Sequence, residues 1–285
     1  MKKILITGAN SYIGTSFEKY IKENYPDDYV IDTVDMIDGG WRKKDFSGYD
    51  SVFHVAGIAH QKETKKNAYL YYEVNRDLAI ETAKKAKADG VKQFIFLSSM
   101  SVYGMDVGVI TKDTIPKPKS NYGKSKLQAE ESINLLIDDC FKVCIIRPPM
   151  VYGKGCKGNF QTVYGLVKKL PAFPKVNNKR SLIYIEHLTS FVKICIDRNC
   201  SGLYFPQNRD YVNTTDMAKV IAQTTNKKLW LSAFLGLAVC AIRPFVGMTK
   251  KAFGTLVYKD TEDFGFEYST VNNLDSFQKS INNEE

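Results

Sequence analysis

The chain has 285 residues, of which 44% are hydrophobic and 25% charged, and its net charge is +9 at pH 7. This length and composition predict a globular protein with one large α/β domain, alone or with a small second lobe. The six cysteines lack any paired C-x-x-C spacing. We therefore expect free thiols in a reducing cytoplasm and no metal site.

The positive charge is dispersed among acidic residues, which indicates a solvated helical surface. Alternatively, the positive charge could serve to bind an anionic small-molecule substrate. Nucleic acid is a weak third option, because no nucleic-acid-binding motif accompanies the charge. The first apolar run, Ile4–Ile6, is too short for the hydrophobic region of a secretory leader, so we expect none.

The first 35 residues have the pattern strand, glycine turn, helix, strand and acid. Ile4–Ile6 has the apolar character of a buried parallel strand, and the turn begins at Thr7-Gly8. Thr15–Glu23 is helix-like, and a second apolar run, Tyr29–Val34, ends in Asp35. This order of elements is typical of a dinucleotide-binding βαβ unit, although a strand-to-helix turn without a ligand remains the alternative.

Each position in this turn has a physical role. Gly8 lets backbone N–H groups approach a pyrophosphate at the helix N-terminus, and Gly14 lets the helix pack closely on the strand. Ser11 stands where a middle glycine is usual, and its small side chain still fits. Asp35 can bind the ribose hydroxyls and would repel a ribose phosphate, which favours NAD over NADP. Asp32, inside the strand, is the rival carboxylate.

Strands and helices then alternate along the chain. We predict strands over Ser51–Gly57, Gln93–Leu97 and Lys142–Ile146, and helices over Tyr69–Asp89 and from Tyr122 to about Asp138. The strand 51–57 ends in small residues, which suit a flat ligand at a carboxyl end. The alternation predicts a mostly parallel, doubly wound sheet.

The pattern changes after Gly153. We predict a helix over Phe160–Leu170, a strand running into a helix over Arg180–His187, and a short strand near 202–205. Leu229–Ile242 carries no charge and is too short to cross a bilayer, which requires about 20 apolar residues. We interpret this stretch as a buried helix of a second lobe. A membrane-surface helix and a dimer face are the alternatives.

The second chemical signal is Tyr122-Gly123-Lys124-Ser125-Lys126. Tyr122 and Lys126 are four residues apart, so they share one helical face. A nearby ammonium lowers the pKa of a phenol, which would make Tyr122 a usable acid or base. Ser99 follows a strand end and can bond the same substrate oxygen. A surface Tyr–Lys pair would be the default interpretation without the preceding turn and serines.

These segments together resemble the extended short-chain dehydrogenase/reductase superfamily, in its NAD-dependent sugar epimerase/dehydratase branch, which includes UDP-glucose 4-epimerase-like enzymes. The resemblance covers roughly residues 1–190 and rests on the following segments: Thr7–Gly14, His54–Gly57, Val74-Asn75, Phe96–Ser99, Val102–Gly104, Tyr122–Lys126, Arg147-Pro148 and Val151–Gly153. It implies a Rossmann-like doubly wound parallel sheet with a smaller C-terminal substrate-binding lobe. The expected domains are 1–150, which also receives segments near 182–205, and 151–285.

The resemblance also implies roles for individual residues. The catalytic residues would be Ser99, Tyr122 and Lys126. The NAD-binding residues would be Gly8, Ser11, Tyr12, Ile13, Gly14, Asp35, Asp45, Phe46, His54, Ala56, Gly57, Asn75 and Lys126. The substrate-binding residues would be Ser101, Asn159 and Arg180. Arginine suits a diphosphate because its guanidinium can form two parallel hydrogen bonds, although Arg180 could instead form a surface ion pair.

One absence narrows the expected reaction. The 4,6-dehydratases of this branch place an Asp-Glu pair directly after the catalytic hydroxyl residue, whereas Met100 and Ser101 follow Ser99. We therefore favour a UDP-hexose 4-epimerase, with a 4-ketoreductase of a 4-keto-6-deoxy sugar as the alternative. A dinucleotide-binding regulator without catalysis is disfavoured by the intact Ser, Tyr and Lys. We further expect a nucleotide-diphosphate sugar substrate, a homodimer, no nucleic-acid partner and no transmembrane span.

Overall fold

The computed structural model describes residues 1–59, 61, 63–243, 245–259 and 264–281, without the side chains of residues 159 and 248. The chain forms two compact units, each built from separate stretches. Unit 1 comprises Met1–Gly104, Ile115–Pro148 and Leu188–Pro206. Unit 2 comprises Met105–Thr114, Pro149–His187 and Gln207–Glu285.

Short strands and helices make up both units. The strands are β1 (Lys2–Thr7), β2 (Tyr29–Val34), β3 (Ser51–His54), β4 (Gln93–Leu97), β5 (Gly108–Ile110), β6 (Lys142–Ile146), β7 (Met150–Tyr152), β8 (Ala172–Pro174), β9 (Leu182–Tyr184), β10 (Gly202–Tyr204), β11 (Trp230–Ser232) and β12 (Leu256–Tyr258). The α-helices are α1 (Tyr12–Asn24), α2 (Ala68–Tyr72), α3 (Leu78–Ala88), α4 (Asn121–Asn134), α5 (Asn159–Lys169), α6 (Ile185–Asp197), α7 (Thr214–Thr224), α8 (Ala233–Ile242), α9 (Gly247–Phe253) and α10 (Asn273–Ile281).

Unit 1 contains a six-stranded sheet in the order β10-β6-β4-β3-β1-β2. Every neighbouring pair in it is parallel. The chain runs from β1 outward to β2 and then returns to the other side of β1 as β3. This reversal is the switch point at which doubly wound sheets bind ligands, outside the carboxyl ends of the strands. The predicted fold class, a Rossmann-like doubly wound parallel sheet, is confirmed.

The apolar runs become the central strands because helices cover both faces of the sheet. Ile4, Leu5 and Ile6 are at most 1% exposed. One core cluster joins Leu5 to Phe94, Phe96 and residues of α3 and α4. The run 29–34 is different: β2 is an edge strand, and most of its side chains are partly or fully exposed. This apolar run is therefore buried only at its first residue, Tyr29.

Two predicted helices have different limits in the structure. The helix expected over Tyr69–Asp89 is divided into α2 and α3 by a π-helical turn, Glu73–Asp77. Such turns are rare and occur mostly at functional sites. Helix α4 ends at Asn134 rather than near Asp138, because the chain then tightens into i→i+3 hydrogen bonds and Lys87 Nζ binds the Leu136 carbonyl at 2.7 Å.

Unit 2 is built from three two-stranded parallel ribbons, β7-β9, β5-β12 and β8-β11, with helices packed against them. Its core includes a group of aromatic rings in which Tyr152 lies 4.8 Å from Phe277 and 5.6 Å from Phe160 and Tyr184, measured between ring centroids. The Tyr152 hydroxyl also bonds Ser276 at 2.5 Å, which ties α10 to β7.

The interpretation of Leu229–Ile242 as a buried helix is wrong. The stretch forms β11 and α8, and Gly236 is the buried residue of α8. Phe234 is 78% exposed and Leu237 72%. Hydrophobicity alone predicted burial, but no layer of the described chain covers this side of unit 2.

Among the residues that the structure describes, no helix is both long enough and apolar enough to cross a bilayer. The same residues contain no cluster of three or more histidine, cysteine or acidic side chains that could hold a metal ion.

Candidate active site

The glycine turn after β1 has the geometry that a dinucleotide requires. Gly8 has φ +108°, and a Cβ there would lie 2.7 Å from the backbone nitrogen of Ala56. Gly14 packs on the sheet, since a Cβ there would approach Ile6 and Val55 within 3.1 Å. The Ser11 hydroxyl caps α1 by accepting the Gly14 amide at 3.2 Å.

The amides of Tyr12 and Ile13 begin α1, where N–H groups have no intrahelical acceptor and attract an anion. A side chain at position 8 would collide with the backbone of Ala56. The residues present therefore fit a dinucleotide pyrophosphate.

The register of β2 distinguishes the two candidate carboxylates. Gly8 and Ala9 donate their amides to the Val34 carbonyl, so Asp35 directly follows the strand end beside the turn. Asp32 instead pairs with Leu5 inside the strand and accepts the Tyr49 hydroxyl at 2.6 Å. The Asp35 carboxylate accepts the Ile37 amide at 2.9 Å and is exposed. This placement favours Asp35 as the ribose partner.

The structure divides the residues expected to flank NAD into exposed and buried sets. The His54 ring is fully buried between Phe94 and Phe96 and bonds the Thr7 hydroxyl at 2.7 Å. Burial lowers the pKa of His54 to about 3, so the ring is neutral. Its side chain is therefore a core group, whereas Gly57, three residues later, is exposed.

Asp45 and Phe46 also differ in exposure. Phe46 is 0% exposed, and its ring belongs to the core of unit 1. The Asp45 carboxylate is exposed and accepts both the amide and the hydroxyl of Ser47, which lowers the pKa of Asp45. Of these two residues, only Asp45 has a side chain that a ligand could reach.

Asn75 supports the loop after β3. Its side chain is fully buried in the π-helical turn. Its oxygen accepts the Ile58 amide at 2.7 Å, and its nitrogen donates to the Ile58 carbonyl at 3.1 Å. A Cβ on Gly57 would lie 2.9 Å from the Asn75 oxygen and 3.4 Å from Lys126 Nζ. Asn75 thus holds Gly57 close to Lys126.

The three predicted catalytic residues come together at the carboxyl end of β4. Ser99 follows this strand, and its hydroxyl donates to the Ser101 hydroxyl at 3.2 Å and is close enough to Tyr122 to influence the pKa of the phenol. Gly123 permits this approach, because a Cβ there would lie 2.5 Å from the Ser101 carbonyl. Lys126 is on the next turn of α4 and is 4% exposed.

The ionisation of this group differs from the expectation that the lysine lowers the pKa of the phenol. Burial raises the pKa of Tyr122, and the nearby Ser99 hydroxyl acts in the opposite direction. Burial also lowers the pKa of Lys126 to about 8. Lys126 Nζ donates to the Leu97 carbonyl at 2.8 Å and lies 4.6 Å from the Phe96 ring centroid. In this conformation the lysine binds the strand end rather than the phenol.

Two supporting acids were missed in the sequence. Glu63 accepts the amides of Asn121 and Tyr122, the first two residues of α4. Glu130, one turn beyond Lys126, forms a buried ion pair with Arg147, with Nε 3.0 Å from Oε1. The spacing of Glu130 from Lys126 on one helical face was a usable signal. Glu63 gave none, because it lies in a loop far from α4 in sequence.

The predicted substrate residues lie in different parts of the chain. Ser101 is exposed in unit 1, and its amide donates to the Ser99 hydroxyl at 3.1 Å. Arg180, in unit 2, donates to the Gly254 carbonyl at 3.0 Å, and burial lowers the pKa of its guanidinium. Asn159 is the first residue of α5, and its side chain lies outside the described part of the structure.

Comparison with known proteins adds independent information. Residues 4–228 match the model of the NAD dependent epimerase/dehydratase family. The chain is 33% identical over 258 residues to a UDP-glucose 4-epimerase of Vibrio cholerae, covering 80% of this chain and 77% of the relative.

A second relative and a solved structure extend the comparison. The chain is 26% identical over 249 residues to N-acetyl-alpha-D-glucosaminyl-diphospho-ditrans,octacis-undecaprenol 4-epimerase of Escherichia coli O157:H7, covering 79% and 73% of the two chains. The crystal structure of UDP-glucuronic acid 4-epimerase from Bacillus cereus in complex with NAD superposes with a TM-score of 0.76 at 18% identity, covering 98% and 97%. The chain therefore belongs to the NAD-dependent epimerase/dehydratase family of extended short-chain dehydrogenases/reductases, and it is an NAD-dependent enzyme.

Proposed function

We propose that this enzyme is a nucleotide-sugar 4-epimerase that acts on a UDP-hexose through a transient 4-keto sugar. The observation that carries the proposal is the grouping of Ser99, Tyr122 and Lys126 near the carboxyl end of β4, with Tyr122 and Lys126 one helical turn apart on α4. The V. cholerae relative, which is 33% identical to this chain over the aligned 258 residues, is named for the same reaction on UDP-glucose.

The side chains then have distinct roles. Tyr122 removes the proton of the sugar 4-hydroxyl and later returns it, and Ser99 donates a hydrogen bond to the same oxygen. The Lys126 ammonium would make the phenol easier to ionise if it moved from the Leu97 carbonyl toward Tyr122. NAD, when bound, supplies reversible hydride transfer at carbon 4. Inversion at carbon 4 would require that the sugar present its opposite face before Tyr122 returns the proton.

We assign unit 1 to NAD. Gly8, Ser11, Tyr12, Ile13 and Gly14 would hold the pyrophosphate, and Asp35 the adenosine ribose. Asp45 would lie near the adenine, and Ala56, Gly57 and Lys126 near the nicotinamide half. The buried side chains of Phe46, His54 and Asn75 act by shaping this surface. We assign unit 2 mainly to the substrate, with Asn159 and Arg180 at its diphosphate and Ser101 of unit 1 near the sugar.

Other reactions of the family are less well supported. Met100 and Ser101 supply no carboxylate for removing water across carbons 5 and 6 of the sugar. A 4-ketoreductase would use the same three catalytic residues, and it differs by consuming one reduced cofactor in each turnover. A binding protein without catalysis has no need of a phenol beside a serine and a lysine.

The test is NMR of UDP-glucose and of UDP-N-acetylglucosamine incubated with purified protein and no added cofactor. We expect bound NAD, released on denaturation, and a new galacto isomer. The Tyr122→Phe protein is the matched control, and it should retain NAD and form no isomer. NADH or NADPH oxidation that occurs only with a 4-keto sugar nucleotide, and without isomer formation, would replace the epimerase by the reductase.

The same assay addresses how the sugar diphosphate is carried. The E. coli relative is named for a sugar diphosphate attached to a polyprenol. Incubating the enzyme with N-acetylglucosamine-diphospho-polyprenol in detergent, beside UDP-N-acetylglucosamine, compares the two carriers directly. We expect faster turnover of the nucleotide sugar. The opposite ranking would retain the 4-epimerase and change its substrate.

Gel filtration with light scattering tests the expected homodimer.

A further inference from the structure

Unit 2 carries a hydrophobic surface that its own fold does not cover. Seven of the twenty large hydrophobic side chains that are exposed in the described structure fall within residues 230–246, which we call the apolar segment. They are Trp230, Phe234, Leu235, Leu237, Ile242, Phe245 and Val246. Such a concentration of exposed apolar side chains marks an interaction surface, whereas isolated ones do not.

The apolar segment is held in place by backbone contacts. Strand β11 pairs with β8, and the Ser232 hydroxyl caps α8 by accepting the Leu235 amide at 3.2 Å. Gly236 rests on the neighbouring loop so closely that a Cβ there would lie 2.1 Å from the Lys175 carbonyl. Helix α8 is therefore anchored along one side, and its large side chains project from the others.

The sequence around the apolar segment is basic. No acidic residue occurs from Met217 to Lys259, a stretch that contains seven basic residues. They are Lys219, Lys227, Lys228, Arg243, Lys250, Lys251 and Lys259, of which Lys219 forms an ion pair with Asp216 at 2.7 Å. Lys227 and Arg243 border β11 and α8 directly, and each donates a hydrogen bond to an uncharged backbone carbonyl. The partner of this surface should be apolar and anionic.

We propose that the apolar segment and the basic residues around it dock this protein on the surface of an anionic lipid bilayer. Helix α8 has ten residues, half of the roughly 20 that a span requires, so it would lie in the interface. Trp230, 71% exposed, is the residue type that prefers the headgroup region. The proposal does not depend on the sugar substrate.

A second copy of the chain could also cover the apolar segment. The positive charge around the segment disfavours such a contact between two copies. A two-fold interface places the same patch of both subunits face to face. The lysines and arginine around the apolar segment would then oppose their own copies, and like charges across an interface are unfavourable. An anionic headgroup layer complements the same residues.

The test uses the full chain with vesicles of phosphatidylcholine, alone or with about 30% phosphatidylglycerol, at low ionic strength. We expect the protein to sediment with the anionic vesicles and to be released by salt. The chain has two tryptophans, and Trp41 is 1% exposed. A blue shift of the emission on adding anionic vesicles therefore reports Trp230. Failure to sediment and an unchanged spectrum would overturn the proposal.

Variants separate the apolar and the charged contributions. We expect Phe234→Ser/Leu237→Ser to lower vesicle affinity at least ten-fold. Lys228→Gln/Lys251→Gln should lower it roughly five-fold for each charge. The matched control is Ile115→Ser/Leu135→Ser, at two side chains of unit 1 that are 71% and 85% exposed, and it should bind like the wild type. Equal loss in the control would overturn the proposal.

Light scattering and thermal unfolding complete the design. The Phe234→Ser/Leu237→Ser protein should keep the oligomeric state and melting temperature of the wild type, because these side chains are exposed. A change from oligomer to monomer in this variant would assign the surface to a second copy and overturn the membrane assignment. If the variant fails to fold, the Lys228→Gln/Lys251→Gln protein and the wild-type tryptophan spectrum decide the question.

Discussion

Glu63 accepts the backbone amide of Tyr122 at 3.1 Å, although the two residues are 59 positions apart. Its second carboxylate oxygen accepts the Asn121 amide at 3.0 Å. A negative charge is therefore placed at the positive end of α4, which carries both Tyr122 and Lys126. Burial and, to a lesser extent, the charge of Glu63 raise the pKa of Tyr71, whose ring centroid lies 6.5 Å from that of Tyr122.

Replacing Glu63 should loosen the helix start that positions the phenol. We expect Glu63→Ala to lower the free energy of unfolding by about 1–2 kcal/mol, because two amides lose their acceptor. Turnover should fall several-fold, with a smaller loss in Glu63→Gln, which keeps one oxygen. Urea unfolding and kcat measure these effects. The control is Glu131→Gln, an exposed acid on the same helix, and equal effects there would remove Glu63 from its positioning role.

Lys126 gives the stability a defined pH dependence. Burial lowers the pKa of its ammonium from 10.5 to about 8, so the unfolded chain binds more protons between these two values. The cost of burying the charge is therefore fully present below pH 8 and disappears as the pH rises toward 10.5. As the pH rises through this window, the free energy of unfolding of the wild type should increase, relative to that of Lys126→Met, by on the order of 3 kcal/mol.

Urea unfolding of both proteins, freed of cofactor, at several pH values between 7 and 10.5 measures this difference. Methionine has a similar length and no charge, so packing changes little while the titration is removed. If the free energy of unfolding depended on pH in the same way in both proteins, Lys126 would have an ordinary pKa in the folded state.

Asp35 should determine the choice of cofactor. Asp35→Ala removes a charged acceptor from the end of β2, and a lost hydrogen bond to a charged group weakens binding by about 1.5–3 kcal/mol, or roughly 10- to 100-fold. NADP should be affected less, because its ribose phosphate is repelled by the native carboxylate. Calorimetric titration of both cofactors measures the preference. Asp32→Ala is the matched control, and a selective loss of NAD there instead would identify Asp32 as the ribose partner.

The Glu130–Arg147 pair should be essential for folding stability. Glu130 is 2% exposed and Arg147 6%. Glu130→Gln leaves the guanidinium buried without a countercharge, so we expect a loss of about 3–5 kcal/mol in urea unfolding. Removing both charges in Glu130→Leu/Arg147→Met should recover much of that loss. A double variant as unstable as Glu130→Gln would show that packing, rather than charge, is responsible.

Much of the fold was predictable because its signals are local. The glycine turn, the alternation of strands with helices and the position of Tyr122 four residues before Lys126 all depend on neighbouring residues. The N-cap of α7 is another local signal, because asparagine is a preferred N-cap residue and the Asn213 side chain accepts the amides of Thr215 and Asp216. Helix limits were less accurate. The π-helical turn at Asn75 is stabilised by contacts with Ile58, a residue outside the helix.

The sequence by itself determined the fold class and the family, because short-range periodicity and glycine positions encode a doubly wound sheet and its nucleotide turn. Only the tertiary structure decided which of these side chains are accessible. In the folded chain His54 and Phe46 are buried, and Lys126 donates to the Leu97 carbonyl. The Glu63 carboxylate accepts the backbone amide of Tyr122. The tertiary structure also left α8 exposed where its composition indicated a core. Burial and hydrogen-bond partners depend on residues distant in sequence, and local patterns do not contain that information.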